Sequence, residues 1–124
     1  YAPLGHNEIR LVQLLPGPDN TSIELQILPN VHLASVPKYL ALSYVWGDPT
    51  SKHSIRVNGS PVEVTSNLAD FLWYQRKLSQ DAAGAENLWI DAICINQNNT
   101  QERNIQVLLM VHIYQRADRT IVWL

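Results

Sequence analysis

Two pairs of short runs in the first half of the chain alternate apolar and polar residues, a pattern that predicts antiparallel β-hairpins. The first pair, "IRLVQLLPG" and "SIELQILPN", is separated by "PGPDNT", whose Pro, Gly, Asp and Asn residues favour a tight turn. The second pair, "SIRVN" and "PVEVT", flanks "NGSP", and its alternation is typical of a half-exposed ribbon. We therefore expect two hairpins that are added to a larger core.

Three further segments are almost continuously apolar and predict strands that are covered on both faces. They are "YLALSYVWG", "NLWIDAICIN" and "RTIVWL". Strands of this kind are typical of parallel sheets, and a parallel pair needs a crossover connection that is usually a helix. Because a helical pattern separates each successive pair, the sequence predicts an α/β fold with a β-α-β-α-β parallel core, the second hairpin being inserted early.

The two predicted helices differ in how much of their circumference is apolar. The first begins near Ser66 or Asn67 and turns Arg76 and Lys77 outward. Its apolar side consists of Leu68, Phe71, Leu72 and Leu78. The second begins near Thr100 and carries two apolar rows, which are Ile105, Leu108, Leu109 with His112, and Val107, Met110, Val111, Tyr114, Ala117. Such a helix needs cover beyond one sheet face, from another helix, another domain or a partner subunit.

Composition limits the classes of protein to which the chain can belong. Its 124 residues correspond to one domain, and a net charge of −2 gives no long-range field that would attract nucleic acid or an anionic membrane. The single cysteine, the absence of a signal peptide and the absence of a membrane-spanning apolar run predict a cytoplasmic protein. Because "TIVWL" ends the chain on a strand without a covering helix, we interpret residues 1–124 as a C-terminally truncated piece of a longer protein.

Polar side chains cluster where the first two core strands are predicted to end, which is where ligand sites form in parallel α/β sheets. The first cluster is Tyr44, Trp46, Gly47 and Asp48, and the second is Asn96 and Gln97, with Glu102 entering the next helix. If the two strands are neighbours, these residues form one ligand-binding rim. The alternative for the amides is that they close the turn and cap the helix. Trp46 and Trp89 are interpreted as core residues, with ligand stacking by Trp46 as the alternative.

Asp91 and Cys94 are unusual because they lie within an apolar segment. A buried carboxylate needs a partner, for which Arg116, Arg119 or backbone N–H groups are candidates, and a structural role for Asp91 is favoured over a catalytic one. Cys94 is interpreted as a buried, inert thiol. No histidine stands at a spacing that would activate it or build a metal site, so no metal is expected.

Three strings in fixed order, "YLALSYVWGD", "LWIDAICINQNNTQERNIQVLLMVHIYQRA" and "TIVWL", closely resemble the signature blocks of the heterokaryon incompatibility (HET) domain of filamentous fungi. "IRLVQLLPG" and "VTSNLADFL" also fit, so the resemblance covers nearly the whole chain. It implies a domain of fungal nonself recognition that triggers growth arrest and regulated cell death. It also implies a remote relationship to the Toll/interleukin receptor (TIR) domain, a flavodoxin-like fold that signals by self-association or, in some members, cleaves NAD.

The resemblance leaves three functions open for this chain. The leading one is a cell-death effector activated by self-association, or by an attached or partner regulatory protein. The second is an NAD glycohydrolase, with NAD as substrate and with Glu102 and Asp91 as the catalytic carboxylates. The glutamate of NAD-cleaving TIR domains would lie beyond Leu124 in this matching. The third is a non-catalytic module that recruits another protein.

Overall fold

The computed structural model describes residues 1–79 and 86–124, which form strands, two long helices and two short helical turns. The elements are β1 (Glu8–Ile9), β2 (Val12–Leu14), β3 (Glu24–Ile27), β4 (Val31–His32), a 3₁₀ turn (Leu33–Ser35), β5 (Leu40–Tyr44), β6 (Lys52–Val57), β7 (Ser60–Thr65), α1 (Ser66–Ser79), β8 (Asn87–Trp89), α2 (Asp91–Cys94), α3 (Thr100–Arg116) and β9 (Arg119–Trp123).

Seven of the strands form one mixed sheet in the order β7-β6-β3-β2-β8-β5-β9, and β1 pairs with β4 separately. The predicted parallel core is confirmed, since β5 pairs in parallel with both β8 and β9. Both predicted hairpins are also confirmed as antiparallel pairs. They do not form separate additions, however, because β2 joins β8 and β3 joins β6 within the same sheet. The fold is therefore α/β with the hairpins as one half of the sheet.

The segment "NLWIDAICIN" is not one continuous strand, and that prediction was wrong. β8 ends at Trp89, and residues 91–94 form the single helical turn α2. The N–H groups of Ile93 and Cys94 donate to the carbonyl of Ile90 at 3.0 and 2.7 Å, which closes this turn. A short apolar run fits a buried strand and a buried helical turn equally well. The position of the turn takes Asp91 out of the sheet and places it at the end of β8.

The helices α1 and α3 cover opposite faces of the sheet. Phe71 of α1 packs edge-on against Trp123, whereas Tyr114 of α3 packs against Trp89. The strand register pairs Trp89 with Ala41 and Trp123 with Tyr44. Residues three apart in a strand point to opposite faces. The two tryptophans therefore belong to two separate layers of core.

Helix α1 differs from its prediction at two positions. Leu68, Phe71 and Leu72 are buried as expected, but Leu78 is exposed and Arg76 is buried. The guanidinium of Arg76 donates to the carbonyls of Thr21 and Ser22, both at 3.1 Å. Arg76 is buried because these acceptors lie in the first hairpin, and the periodicity of a helix takes no account of contacts with other elements. The prediction that Trp46 lies in the core is also wrong, since 52% of it is exposed.

Helix α3 begins at Thr100 as predicted, and the side-chain oxygen of Asn99 caps it by accepting from the N–H of Glu102 at 3.1 Å. Only a narrow stripe faces the sheet, with Glu102, Gln106 and Ile113 buried. The opposite side, which we call the outward face of α3, carries the exposed apolar residues Ile105, Val107, Leu108 and Val111, interspersed with the exposed polar residues Asn104, His112 and Gln115. The predicted apolar excess is thus present and, in this chain, uncovered. Within the described residues no helix is both long and apolar enough to cross a bilayer.

Candidate functional site

A cavity of about 200 Å³ lies where β5 and β8 end, at the edge of the sheet that the sequence analysis selected. Tyr44, Trp46 and Gln97 are among the residues that line it, together with Ala92 of α2. The rings of Tyr44 and Trp46 are parallel to within 1°, with 6.3 Å between their centroids. We call this space the rim cavity. The structure therefore brings residues from both predicted clusters together in one wall.

The other rim residues of the prediction lie outside the lining of this cavity and have local structural contacts. Gly47 has a φ of 74°, which glycine adopts without strain. Oδ1 of Asp48 accepts from the backbone N–H and the hydroxyl of Thr50, and these hydrogen bonds hold the pKa of the Asp48 carboxyl below its usual value. Oδ1 of Asn96 accepts from the N–H of Asn98 at 3.1 Å. These three residues shape the loops around the cavity.

Of the partners that the sequence suggested for the Asp91 carboxyl, a backbone N–H group is present, whereas within the described residues neither Arg116 nor Arg119 pairs with it. Arg116 donates to the carbonyl of Leu33, and Arg119 pairs with Glu86. The backbone N–H of Ala92 is a hydrogen-bond partner of the Asp91 carboxyl, while Oδ1 is buried without a partner among the described residues. An isolated carboxylate in this setting is costly.

Burial raises the pKa of the Asp91 carboxyl, and the Ala92 N–H offsets only part of this effect. Desolvation and the nearby charge of Asp91 in turn raise the pKa values of Tyr44 and Tyr114. Tyr44 and Ala92, the residue that follows Asp91, line the rim cavity, whereas Asp91 itself lies outside that lining. A carboxylate without a counterion stabilises positive charge that develops nearby.

Glu102 has a different environment from the one that the sequence suggested. Its Oε1 and Oε2 accept from Nη2 and Nη1 of Arg10 at 2.7 and 2.8 Å, and Oε2 also accepts from the N–H of Asn96 at 2.5 Å. Arg10 is only 1% exposed and Glu102 only 9%. Burial alone raises the pKa of the Glu102 carboxyl, but these hydrogen bonds and the Arg10 charge outweigh it and the net pKa is lowered.

The Arg10–Glu102 pair thus satisfies the requirement for a buried ion pair that the sequence analysis assigned to Asp91. Glu102 is absent from the lining of the rim cavity. Arg10 was not selected from the sequence, although it is the one charged residue in the apolar run "IRLVQLL". This pattern could have identified Arg10 from the sequence, because a charged side chain inside an apolar strand needs a partner.

Cys94 is confirmed as a buried thiol with no exposed surface. Burial raises its pKa to about 12, which leaves the thiol protonated at neutral pH. Its sulfur accepts from the N–H of Ile90 at 3.3 Å. In the part of the chain that the structure describes, no three His, Cys, Asp or Glu residues are grouped so that they could hold a metal ion.

Comparison with known proteins gives concordant results. The family model described as "Heterokaryon incompatibility protein (HET)" matches residues 39–124. The "Heterokaryon incompatibility protein 6, OR allele" of Neurospora crassa is 38% identical over 125 residues, which cover 94% of this chain. The chain spans only 18% of the length of that relative. No solved structure matches. The resemblance inferred from the signature blocks is therefore confirmed, and the chain belongs to the heterokaryon incompatibility (HET) family.

Proposed function

We propose that this domain is an effector of fungal heterokaryon incompatibility that self-associates through the outward face of α3 and thereby triggers regulated cell death. The incompatibility role is supported by the family and by the name of the relative from Neurospora crassa. The observation that carries self-association is the outward face itself, where Ile105, Val107, Leu108 and Val111 are all more than half exposed.

The outward face has the composition of a protein interface. Residues 104–115 include no Asp, Glu, Lys or Arg, and charged residues are depleted at the centres of interfaces. Contiguous exposed apolar surface is uncommon on monomeric proteins and marks interaction sites. A second copy suits this face because two neutral apolar surfaces do not repel each other. A two-fold pairing of α3 with its copy would bury the same residues in both chains.

Leu108→Asp and Val111→Asp are each expected to abolish self-association, because both would bury unpaired carboxylates at the interface. Sedimentation velocity at rising protein concentration measures this, with the wild type forming dimers or larger species and the variants remaining monomeric. The same variants should lose growth arrest when they are expressed in a filamentous fungus. The control is Leu78→Asp, since Leu78 is also exposed but lies on α1. A wild-type protein that stays monomeric at all concentrations would refute the proposal.

We also propose that the parallel core is flavodoxin-like. Its three parallel strands lie in the spatial order β8-β5-β9, which is second, first, third along the chain. The same order occurs in flavodoxin-like sheets, where ligands bind beyond the carboxyl ends of the strands. The position of the rim cavity supports this assignment.

Cleavage of NAD at the rim cavity is the second candidate function. It is favoured by the Asp91 carboxyl, whose Oδ1 has no partner among the described residues and which directly precedes Ala92 in the cavity lining. In this reaction the bond between ribose C1′ and the nicotinamide nitrogen breaks and neutral nicotinamide leaves with the bonding electron pair. Water then adds to C1′ and loses one proton to solvent. Asp91 would stabilise the positive charge that develops on the ribose. Tyr44 and Trp46 offer ring faces for the nucleotide. Glu102 is the weaker of the two carboxylates proposed for catalysis because Arg10 neutralises it.

Asp91→Asn is expected to abolish nicotinamide release while making the fold more stable at pH 7. A folded-state pKa above the unfolded value of 3.8 means that the folded protein binds the proton more tightly. Asp91 therefore destabilises the fold as the pH rises through its folded pKa, and the difference between variant and wild type should vanish below the unfolded pKa. The two measurements are nicotinamide release and urea unfolding at a series of pH values. Asp70→Asn is the control, because Asp70 is exposed. Unchanged release would exclude Asp91, and no release from folded wild type would favour a non-catalytic domain.

A further inference from the structure

The rim cavity is too small to enclose a whole dinucleotide. Its volume of about 200 Å³ lies below the roughly 300–1,000 Å³ of sites that enclose a drug-sized molecule. One ring with its sugar can enter, whereas a phosphate attached to that sugar must remain at the mouth of the cavity. The residues at the mouth therefore decide whether a phosphate is bound.

Lys52 and Glu63 are the two charged residues at the mouth. Of the described residues that line the rim cavity, they are the only Asp, Glu, Lys or Arg, and both side chains are exposed. Lys52 of β6 is paired with Thr65 of β7, which makes Glu63 its diagonal neighbour on the same face of the ribbon. Among the ion pairs of the described residues, none involves Lys52. Its ammonium group is therefore available to an anion.

Tyr44 supplies an accessible hydrogen-bond donor to the inner wall of the rim cavity. Its hydroxyl has no partner in the described part of the chain, and it is not one of the unsatisfied atoms that are fully buried. The oxygen therefore retains accessible surface, unlike Oδ1 of Asp91. Burial and then the charge of Asp91 raise the pKa of Tyr44, so the hydroxyl stays protonated at neutral pH. It can donate to an amide or hydroxyl oxygen of a ligand.

We propose that the rim cavity holds the nicotinamide nucleotide half of NAD, with the ring and ribose at the inner wall beside Tyr44 and the phosphate bound by Lys52 at the mouth. A lysine ammonium group binds phosphate as a compact point charge. The Glu63 carboxylate repels the same phosphate and so limits the affinity. This inference rests on the ligand site of the second candidate function, but it requires neither cleavage of NAD nor self-association of the domain.

Benzamide riboside and its 5′-monophosphate are suitable probes, because the two differ only in the phosphate. The ring of each is joined to the ribose by a carbon–carbon bond, so neither is cleaved as NAD would be. We expect the monophosphate to bind on the order of tenfold more tightly, which reflects one charge-assisted contact. Titration followed by amide chemical shifts measures both affinities, and the shifts should concentrate at Tyr44, Lys52 and Ala92. Equal affinities would overturn the phosphate contact, and shifts confined elsewhere, or no binding, would overturn the site.

Lys52→Gln and Glu63→Gln should change the preference for the monophosphate in opposite directions. Lys52→Gln should bring the two affinities close to each other, whereas Glu63→Gln should increase the preference a few-fold at low salt, because it removes a repulsion. Both side chains are exposed, so the variants should fold. Lys77→Gln is the matched control, since Lys77 is also an exposed lysine but lies outside the cavity lining. An unchanged preference in Lys52→Gln, or an equal loss in Lys77→Gln, would contradict the assignment.

Tyr44→Phe tests the orientation of the ligand, because it removes the hydroxyl and keeps the ring. The variant should bind both probes several-fold more weakly and leave the preference for the monophosphate unchanged. A reduced preference would place the hydroxyl at the phosphate and contradict the orientation. If folded wild type binds the probes as expected but releases no nicotinamide from NAD, the cleavage proposal fails and the phosphate site stands. Nicotinamide release together with equal affinities would overturn the phosphate site alone.

Discussion

Replacing Glu102 with Gln is expected to lower the free energy of unfolding at pH 7 by about 3–5 kcal/mol, the usual cost of leaving one member of a buried ion pair without its partner. The Arg10 guanidinium would stay buried with its carboxylate removed, because Cys94 and Ala2 still hold it through their carbonyls at 3.1 and 2.8 Å. Gln matches Glu in size, so lost packing contributes little. Urea unfolding monitored by tryptophan fluorescence measures the change.

The pH dependence provides a second check on the Glu102 prediction. Because the folded-state pKa of Glu102 is lowered, its stabilising contribution is complete above the unfolded value of 4.5 and is lost as the pH falls through the folded pKa. The difference between Glu102→Gln and wild type should therefore shrink under acid conditions. Glu63→Gln is the control, since Glu63 is exposed on β7. A loss below about 1 kcal/mol at pH 7 would show that the pair contributes little.

This ion pair also bears on the extent of the domain. The span matched by the family model, residues 39–124, includes Glu102 but not Arg10. Strands β2 and β3 also precede residue 39, and β2 pairs directly with β8. The first part of the chain is therefore integral to the fold, because it supplies both a neighbouring strand and the counterion for a buried carboxylate.

Trp89→Ala is expected to destabilise the fold by about 3–5 kcal/mol, the usual cost of removing a large side chain from a packed core. Trp89 has no exposed surface and packs edge-on against Tyr114, with 5.7 Å between ring centroids. The substitution would leave a void between the sheet and α3. Equilibrium unfolding in urea, followed by circular dichroism, gives the change in free energy.

Trp46→Ala is the matched control for the Trp89 prediction. Trp46 lies at the rim cavity and is half exposed, so its removal should cost less than about 1 kcal/mol, as for most surface substitutions. Comparable losses in both variants would contradict the assignment of one tryptophan to the core and the other to the rim. Hydrophobic patterning predicted both tryptophans in the core, because it does not indicate which end of a strand is covered.

Local pattern was sufficient for much of the fold. The alternation in both hairpins and the continuous apolar runs predicted the antiparallel and parallel pairs correctly, because pleat and burial repeat along the chain at fixed intervals. The helical turn α2 was not predicted, because the criterion that identified the core strands was a continuous apolar run. Its residues are uniformly apolar except Asp91, and such a run does not tell a strand from a helical turn.

The location of the candidate site could be predicted from the sequence, but the contacts of its side chains could not. Strand ends and helix starts follow from the order of the elements, so Tyr44, Trp46 and Gln97 were correctly expected near one another. Whether a carboxylate is paired depends on side chains brought together from distant positions. Of the partners suggested for Asp91, the structure has a backbone N–H group and, among the described residues, neither arginine. Glu102 pairs with an arginine 92 residues away that was not expected.

The sequence by itself therefore determined the family, the types of the main elements and the apolar excess of α3, since each depends on the order and spacing of residues along the chain. Only the tertiary structure decided which charges are neutralised, that Arg76 is buried, and that Oε1 of Gln106 has no hydrogen-bond donor among the described residues. The physical reason is that electrostatics and hydrogen bonding act between atoms that are close in space, and chain folding sets those distances independently of sequence separation.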